Sequence, residues 1–294
     1  MRGWGAAGLG FVLAAIVAAP AAGQQGGGGT MAVGAGGPEM PLWEAGLFAG
    51  VGWIASYPAA SDGQVRVLPV PYLIYRGDTL RIGDRGAVRA RETFLDSRLE
   101  LDVGIGGAFD VNSDEVAARR GMPDLDYLLE LGPQAILHLR PEADQHQVDV
   151  ALQLRGVLSS DFSNLRYQGT VLNPEILFMR QRFAQDDIGL YASLGLLWGM
   201  DGLNDYFYEV DPQFATATRP SYQARNGYLG TELTLGLGYR VGSRGNIFVG
   251  GQLGYFGGSA NRKSPLHRRD VNFSVGVGFA WSFLQSEQTA PVAR

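Results

Sequence analysis

The chain has 294 residues, no cysteine, three histidines and a formal net charge of −5 at pH 7. The composition excludes disulfides and thiolate metal sites, and the acidic balance disfavours nucleic-acid binding, so neither a cofactor nor a nucleic-acid partner is expected. The mean hydropathy of −0.02 excludes a bundle of membrane-spanning helices and fits strands in which apolar and polar residues alternate.

Residues 1–22 have the composition of a secretory signal peptide. Arg2 supplies a positive end, Leu9 to Ala19 forms a short apolar core, and Ala19-Pro20-Ala21 offers an A-x-A cleavage site. The apolar run is shorter than the roughly 18–20 residues that a spanning helix needs, so export is predicted rather than a membrane anchor. The following residues, 23–41, are Gly-rich and nearly uncharged, which predicts a flexible N-terminal arm.

Residues 42–283 contain about twelve strand candidates. They are roughly 44–55, 64–75, 78–84, 92–106, 127–140, 146–159, 167–181, 187–199, 205–211, 226–241, 245–256 and 271–283. This pattern predicts an all-β fold, a transmembrane antiparallel β-barrel of about 12 strands. Because 78–84 and 205–211 are short and bacterial barrels have even strand counts, 10 strands are the alternative. The long polar stretches 107–126, 200–224 and 257–270 are predicted to be loops.

The last strand carries the clearest alternation. Its bulky apolar face comprises Phe273, Val275, Val277, Phe279, Trp281 and Phe283, and small or polar residues occupy the opposite face. A soluble β-sandwich would bury the bulky face, whereas a membrane barrel turns it outward to lipid. The aromatic residues Phe273, Phe279, Trp281 and Phe283 also resemble the closing strand that the outer-membrane assembly machinery binds.

Charged residues collect on the faces predicted to point inward. The set comprises Arg98, Glu100, Asp102, Glu130, Arg140, Asp149, Arg155, Glu175, Glu232 and Arg240. Because both signs are present, we expect either a cross-linked interior or a narrow pore of mixed charge. Glu130 and Arg155 lie on neighbouring strands, which indicates an interior ion pair rather than an acid/base site. In a soluble sandwich the same charges would simply be solvated.

The sequence offers little for catalysis. The spacing Ser264-x-x-His267 is suggestive, but a G-x-S-x-G motif is absent and no acid is obviously placed, so a non-enzymatic protein is predicted. Asp201, Asn204 and Asp205 are possible Ca²⁺ ligands, but their spacing is not that of an EF-hand loop and indicates a turn.

A basic loop precedes the last strand. It carries Arg262, Lys263, His267, Arg268 and Arg269. If the loop is extracellular, these side chains can contact lipopolysaccharide phosphates. Simple solvation of the loop is the alternative.

Short motifs give the chain a resemblance to a known family. They are Tyr57-Pro58-Ala59-Ala60-Ser61-Asp62, Leu68-Pro69, Tyr75-Arg76-Gly77-Asp78, Gly121-Met122-Pro123-Asp124-Leu125, Leu129-Glu130-Leu131-Gly132-Pro133, Leu154-Arg155-Gly156-Val157 with Ser159 and Asp161, Asp205-Tyr206-Phe207-Tyr208-Glu209-Val210, Arg219 to Tyr222 with Ala224 and Gly227, and Ser264-Pro265-Leu266. Through them the chain resembles the MipA/OmpV family of outer-membrane proteins from about Leu47 to Phe283. It departs from the family pattern at Glu209, where glycine is expected, and in the tail 284–294 after Phe283.

The resemblance implies a barrel in the outer membrane of a Gram-negative bacterium, in contact with lipid and lipopolysaccharide. It further implies a scaffold that joins a lytic murein transglycosylase to a peptidoglycan synthase. A small mixed-charge pore for solutes is the alternative function.

Overall fold

The computed structural model describes residues 39–77, 80–82, 88–94, 98–139, 146–180 and 188–291. The predicted signal peptide, most of the Gly-rich arm, Arg140 and the last three residues lie outside these ranges. The strands are β1 (Glu39–Pro41), β2 (Trp43–Ala55), β3 (Gly63–Arg76), β4 (Leu80–Ile82), β5 (Val88–Phe94), β6 (Leu99–Ala108), β7 (Tyr127–His138), β8 (His146–Ser160), β9 (Leu165–Arg180), β10 (Ile188–Met200), β11 (Gly227–Val241), β12 (Gly245–Tyr255), β13 (Val271–Gln285) and β14 (Thr289–Pro291). A short helix, α1 (Leu203–Tyr208), follows β10.

Strands β2 to β13 close into one antiparallel barrel of twelve strands. Each strand pairs with its neighbours along the chain, and β13 closes the cylinder against β2 with Val277 opposite Val51. The predicted all-β barrel of about 12 strands is therefore confirmed. No helix within the described ranges is long and apolar enough to cross a membrane.

Two of the predicted strand assignments are wrong in detail. The candidate 205–211 is not a strand, because its first residues belong to α1 (Leu203–Tyr208). Leu203 and Phe207 are both buried, and residues four apart share one face of a helix, so packing overrides the local alternation. The candidate 92–106 divides into the end of β5 and most of β6, which restores the count to twelve.

The outer surface of the barrel is apolar. The predicted assembly residues Phe273, Phe279, Trp281 and Phe283 are all exposed, whereas Ala280 between them is fully buried. Other exposed apolar residues on the wall include Leu47, Val51, Leu101, Val103, Leu152, Leu154, Leu194, Leu196, Leu233, Leu235, Leu237, Val249 and Leu253. A soluble protein rarely exposes so extensive an apolar surface, and a membrane barrel requires it.

The two ends of the barrel differ. At one end, here the loop end, lie the connections 56–62, 109–126, 201–226 and 256–270. At the other, here the turn end, short connections join β3 to β4 and β11 to β12, β2 begins and β13 ends. There β1 pairs with β14, with Met40 opposite Ala290. The structure thus differs from the predicted boundaries, because β13 runs past Phe283 and residues 39–41 of the arm form a strand.

The barrel wall is shortest along the barrel axis between β3 and β6, where the short strands β4 and β5 lie. Among the described residues, β4 pairs with β3 only at Tyr75 and Arg76, so most of that side of β3 has no strand beside it there. Near the loop end, Arg66 of β3 binds Asp110 instead, with Nη2 2.8 Å from Oδ1. Side chains therefore join β3 to the loop after β6 where backbone pairing has ended.

Two prolines suit β3 to this position. The hydrogen bond from Ser56 N to Asp62 O shows which residues of β2 and β3 form the hydrogen-bonded pairs, because such pairs alternate along an antiparallel ladder. In this alternation Pro69 and Pro71 occupy positions whose nitrogen atoms point away from β2. A proline nitrogen carries no hydrogen, so these two positions leave no unpaired donor on the low side of the wall.

Candidate functional site

Seven of the ten charged residues predicted for the lumen are buried inside the barrel. They are Glu100, Asp102, Glu130, Asp149, Arg155, Glu175 and Glu232. The best-defined contact joins Arg155 on β8 to Glu130 on β7, with Nε 2.9 Å from Oε2 and side chains 0% and 1% exposed. Neighbouring strands place these two residues together, in the cross-strand arrangement expected of an interior ion pair.

Glutamine extends this ion pair into a network. Arg155 donates from Nη1 to Oε1 of Gln153, and Gln153 donates from Nε2 to Oε2 of Glu175 at 2.9 Å. Glu175 and Glu232 both lie close enough to Arg155 to interact with it electrostatically. The guanidinium of Arg155 therefore interacts with three carboxylates, those of Glu130, Glu175 and Glu232.

His138 organises a second group of carboxylates nearer the turn end. Its Nδ1 lies 2.8 Å from Oδ1 of Asp149, and its Nε2 lies 3.2 Å from Oε2 of Glu100. Both ring nitrogens are thus engaged by acids of the adjacent strands β8 and β6. This arrangement cross-links the wall and leaves His138 without a free nitrogen for base catalysis.

The three remaining residues of the predicted set are arginines. Arg98 is exposed in the turn before β6, Arg240 is half-buried near the turn-end limit of β11, and Arg140 lies outside the described residues. Of the predicted set, the buried residues are therefore six carboxylates and Arg155. The described part of the lumen is richer in acid than the mixed-charge prediction implied.

One buried ion pair was missed by the sequence reasoning. Arg76 donates from Nη2 to Oε1 of Glu44 at 2.5 Å, and Ser282 donates to Oε2 of the same carboxylate at 2.6 Å. Tyr72 joins the group through a 2.7 Å contact with Ser282. Arg76 falls one residue beyond the predicted strand 64–75, but it is the last residue of β3 and points inward. The sequence could have indicated this contact, because alternation along β2 and β3 puts Arg76 and Glu44 on the same face of the sheet.

The loop end is closed by a cluster of buried apolar side chains, here called the cap. The cap comprises Tyr57, Ala59, Ala60, Val111, Val116, Leu125, Leu128, Val157, Val171, Leu197, Leu203, Phe207, Tyr208, Val210, Leu229, Phe256 and Leu266. Its members come from the loops 56–62, 109–126, 201–226 and 256–270 and from the strand ends beneath them. The loops therefore fold over the mouth instead of standing open around it.

Buried hydroxyl groups fix the loops of the cap to one another. Tyr57 donates to the Leu266 carbonyl at 2.7 Å, and Tyr208 donates to the Pro58 carbonyl at 3.0 Å. Ser264 donates to the Tyr208 carbonyl at 2.7 Å. Burial raises the pKa of both Tyr57 and Tyr208 above the usual tyrosine value. The two hydroxyls therefore stay protonated and act as donors across the physiological range.

Two buried arginines join the loop 109–126 to the loop 201–226. Arg119 donates to the Phe207 carbonyl at 3.4 Å, and Arg219 donates to the carbonyls of Ala118 and Arg120 at 3.0 Å each. Each guanidinium reaches into the other loop and uses backbone acceptors, so the two loops are held together without an acidic partner. Five of the motifs that carry the family resemblance, 57–62, 121–125, 205–210, 219–222 and 264–266, meet in this cap.

Asp201 lies in the turn before α1, and Asn204 and Asp205 belong to the first turn of α1. Asn204 is buried and donates to the Arg225 carbonyl at 2.7 Å, while Asp201 and Asp205 are exposed. Asp201 has a φ of 55°, a left-handed conformation that aspartate tolerates better than most residues. Within the described residues no group of three or more histidine or acidic side chains is arranged to hold a metal ion.

Ser264 and His267 do not form a nucleophile and base. The Ser264 hydroxyl donates to a carbonyl, and the His267 ring contacts Asp270 through Nε2 at 3.1 Å. Burial lowers the pKa of His267, whereas hydrogen bonds from Arg262 and His267 lower the pKa of Asp270 to about 2. Arg262, His267 and Asp270 are thus bonded to one another within the basic loop, whereas Ser264 is bonded to the cap.

An apolar exterior, a polar interior and strands paired around the whole circumference define an outer-membrane β-barrel. The chain belongs to the MipA family, described as MltA-interacting protein MipA, whose family model matches residues 47–283. The predicted family is thereby confirmed.

Solved outer-membrane structures show a similar but distant fold. The chain is similar to OmpTdeltaL8, a loop L8 deletion mutant of the outer membrane protein OmpT of Vibrio cholerae, with 10% identity, a TM-score of 0.37 and coverage of 84% of this chain and 100% of that one. It is also similar to the toluene transporter TodX of P. putida, with 9% identity, a TM-score of 0.28 and coverage of 88% and 70%. Curated protein sequences give no match.

Proposed function

We propose that this barrel is a non-enzymatic scaffold that holds peptidoglycan-remodelling enzymes at the inner face of the outer membrane. The observation that carries the proposal is the cap, because buried apolar side chains from four loops close the loop end. Beneath it, buried ion pairs cross-link the interior. Such a barrel offers solutes little open lumen, so the pore alternative finds less support.

The turn end is the side on which partners would dock. In outer-membrane barrels short turns face the periplasm and long loops face outward. In this scaffold the sheet formed by β1 and β14 therefore faces the peptidoglycan. The family description, MltA-interacting protein, supports a lytic transglycosylase as one partner. We assign the arm 23–41 and the tail 284–294 as the docking elements.

Single-channel conductance separates the scaffold from the pore. The chain without residues 1–22 is refolded into a planar bilayer, and insertion is checked by heat-modifiable gel mobility. We expect no reproducible conductance steps from inserted protein, because the cap and the interior network leave no wide aqueous path. Stable steps of uniform size would overturn the scaffold proposal in favour of transport.

Direct binding tests the partner. The refolded barrel is immobilised and titrated with a purified lytic murein transglycosylase, and a variant lacking residues 287–294 is compared with it. We expect the full chain to bind and the truncated chain to bind weakly, because the truncation removes β14 and leaves β1 unpaired. Equal binding by both forms would exclude the tail as the docking element, and no binding by the full chain would refute the partner.

A further inference from the structure

A basic cavity lies at the loop end, between the loops 201–226 and 256–270. Its volume is about 690 Å³, and its basic lining residues are Arg225, Arg262, Lys263, His267, Arg268 and Arg269. The volume falls within the roughly 300–1,000 Å³ that small-molecule sites usually have. The cavity joins the basic loop seen in the sequence to Arg225, which lies more than thirty-five positions earlier in the chain.

The walls of the cavity are rigidly built. Asn261 is fully buried, accepts a hydrogen bond from Arg225 N at 2.9 Å and donates to the Arg225 carbonyl at 2.8 Å. The backbone nitrogens of Arg268 and Arg269 both donate to the Ala59 carbonyl, at 2.9 and 3.0 Å. Two loops of the cap thus fix the backbone from which the cationic side chains project, so the cavity exists before any ligand arrives.

The charges in the cavity are unbalanced. Its one acidic lining residue, Asp270, is already engaged by Arg262 at 2.7 Å and by His267 at 3.1 Å. The side chains of Arg225, Lys263, Arg268 and Arg269 form no ion pair with any described carboxylate. Two phosphomonoesters, each carrying a charge of about −1.5 to −2 at pH 7, would balance these four cations.

His267 is the buried member of the cationic lining. Its side chain is 4% exposed, and its Nδ1 is buried without a hydrogen-bond partner among the described residues. Nε2 faces the Asp270 carboxylate and carries the ring proton. Because Nδ1 is closed to solvent, recognition of a ligand rests on the cationic side chains.

The cavity lies at the level of the membrane surface. Arg262 is close enough to Tyr255 to interact with it electrostatically. Tyr255 is the last residue of β12 and faces outward, where aromatic side chains mark the boundary between hydrocarbon and headgroups. Arg262, at one edge of the cavity, therefore lies near the level at which lipid headgroups of the outer leaflet meet the barrel.

From these observations we propose that the loop-end cavity binds the phosphorylated sugar headgroup of an outer-leaflet glycolipid. Arginine and lysine side chains would form ion pairs with the phosphates. A guanidinium group can also donate two parallel hydrogen bonds to two oxygens of one phosphate. The proposal is independent of the scaffold role, because it concerns the opposite end of the barrel.

Binding of bis-phosphorylated lipid A to the refolded chain in zwitterionic detergent tests the proposal. The wild type is compared with Arg268→Gln/Arg269→Gln, which changes side chains without removing the backbone bonds to Ala59. The matched control is Arg166→Gln/Arg244→Gln, which removes two exposed arginines outside the cavity. We expect the cavity variant to bind at least roughly tenfold more weakly, since it loses two side chains that can form charge-assisted hydrogen bonds with phosphate.

Two further ligands identify the source of the phosphate. The first is the same lipid with its phosphates removed, and we expect its binding to be weak and insensitive to the cavity variant. The second is inorganic pyrophosphate, which we expect to compete poorly. Equal binding of both lipids, or equal losses in the cavity and control variants, would overturn the proposal. Full displacement by low pyrophosphate would show a site for soluble phosphate and refute the lipid assignment.

Discussion

Replacing Arg155 with leucine is expected to lower the free energy of unfolding of the barrel by about 3–5 kcal/mol. Arg155 is fully buried, binds Glu130 at 2.9 Å and is the guanidinium nearest to Glu175 and Glu232 in the network described above. Leucine fills part of the space but leaves the carboxylates without a cation. Breaking a buried ion pair on one side is more costly than removing both partners, because an uncompensated charge stays in a poorly solvated interior.

Urea-induced unfolding of the refolded barrel in detergent measures this effect. The double variant Glu130→Gln/Arg155→Leu should recover part of the loss, because one of the stranded carboxylates has been neutralised. Arg98→Leu is the matched control, since Arg98 is exposed and its loss should change stability by less than about 0.5 kcal/mol. An unchanged unfolding midpoint for Arg155→Leu would show that the carboxylates are solvated or protonated without it.

The strand pattern made the barrel predictable from the sequence. Side chains alternate strictly along a strand, so the apolar parity of Val275 and Val277 identifies the lipid face, and the parity of Glu130 and Arg155 identifies the interior. Parity also fixes which strands can bring two charges together. These relations depend only on local geometry and on neighbouring strands, both of which are read directly from the chain.

The cap was not predictable in the same way. The hydrogen bond from Tyr57 to Leu266 joins residues 209 positions apart, and that from Tyr208 to Pro58 joins residues 150 positions apart. No periodicity in the loops encodes such contacts. The helix α1 (Leu203–Tyr208) shows the consequence, because its three consecutive aromatic residues favour a strand locally, whereas Leu203 and Phe207 pack in the cap.

The alternation of side chains also failed to predict which residues point inward near the ends of strands. Arg98 has the parity of Glu100 but lies in the turn before β6, where alternation no longer defines an inner face. Conversely, Arg76 lies outside the predicted strand 64–75, although it ends β3 and is buried against Glu44. Strand limits are set by pairing with the neighbouring strand and by the loops, so the sequence alone defines them poorly.

The cap should open as a unit when one of its central side chains is removed. Phe207 is buried in α1 among residues of all four capping loops, and truncation of a buried phenylalanine costs about 3–5 kcal/mol. We expect Phe207→Ala to accelerate hydrogen exchange in the loops 109–126 and 201–226 by roughly two to three orders of magnitude, because local opening depends on local stability. Trypsin should then cleave after Arg119, whose side chain is buried and held by the Phe207 carbonyl in the closed cap.

Phe162→Ala is the matched control for this experiment. Phe162 lies in the loop 161–164 at the same end of the barrel and is 75% exposed, so the same truncation creates no cavity there. Heat-modifiable mobility should be retained by both variants, because the strand pairing of the barrel does not depend on the cap. Equal exchange in the two variants would show that the four loops open independently. Loss of the barrel together with the cap would show that the two fold as one cooperative unit, and the loops would then be structural supports of the wall rather than a separable closure.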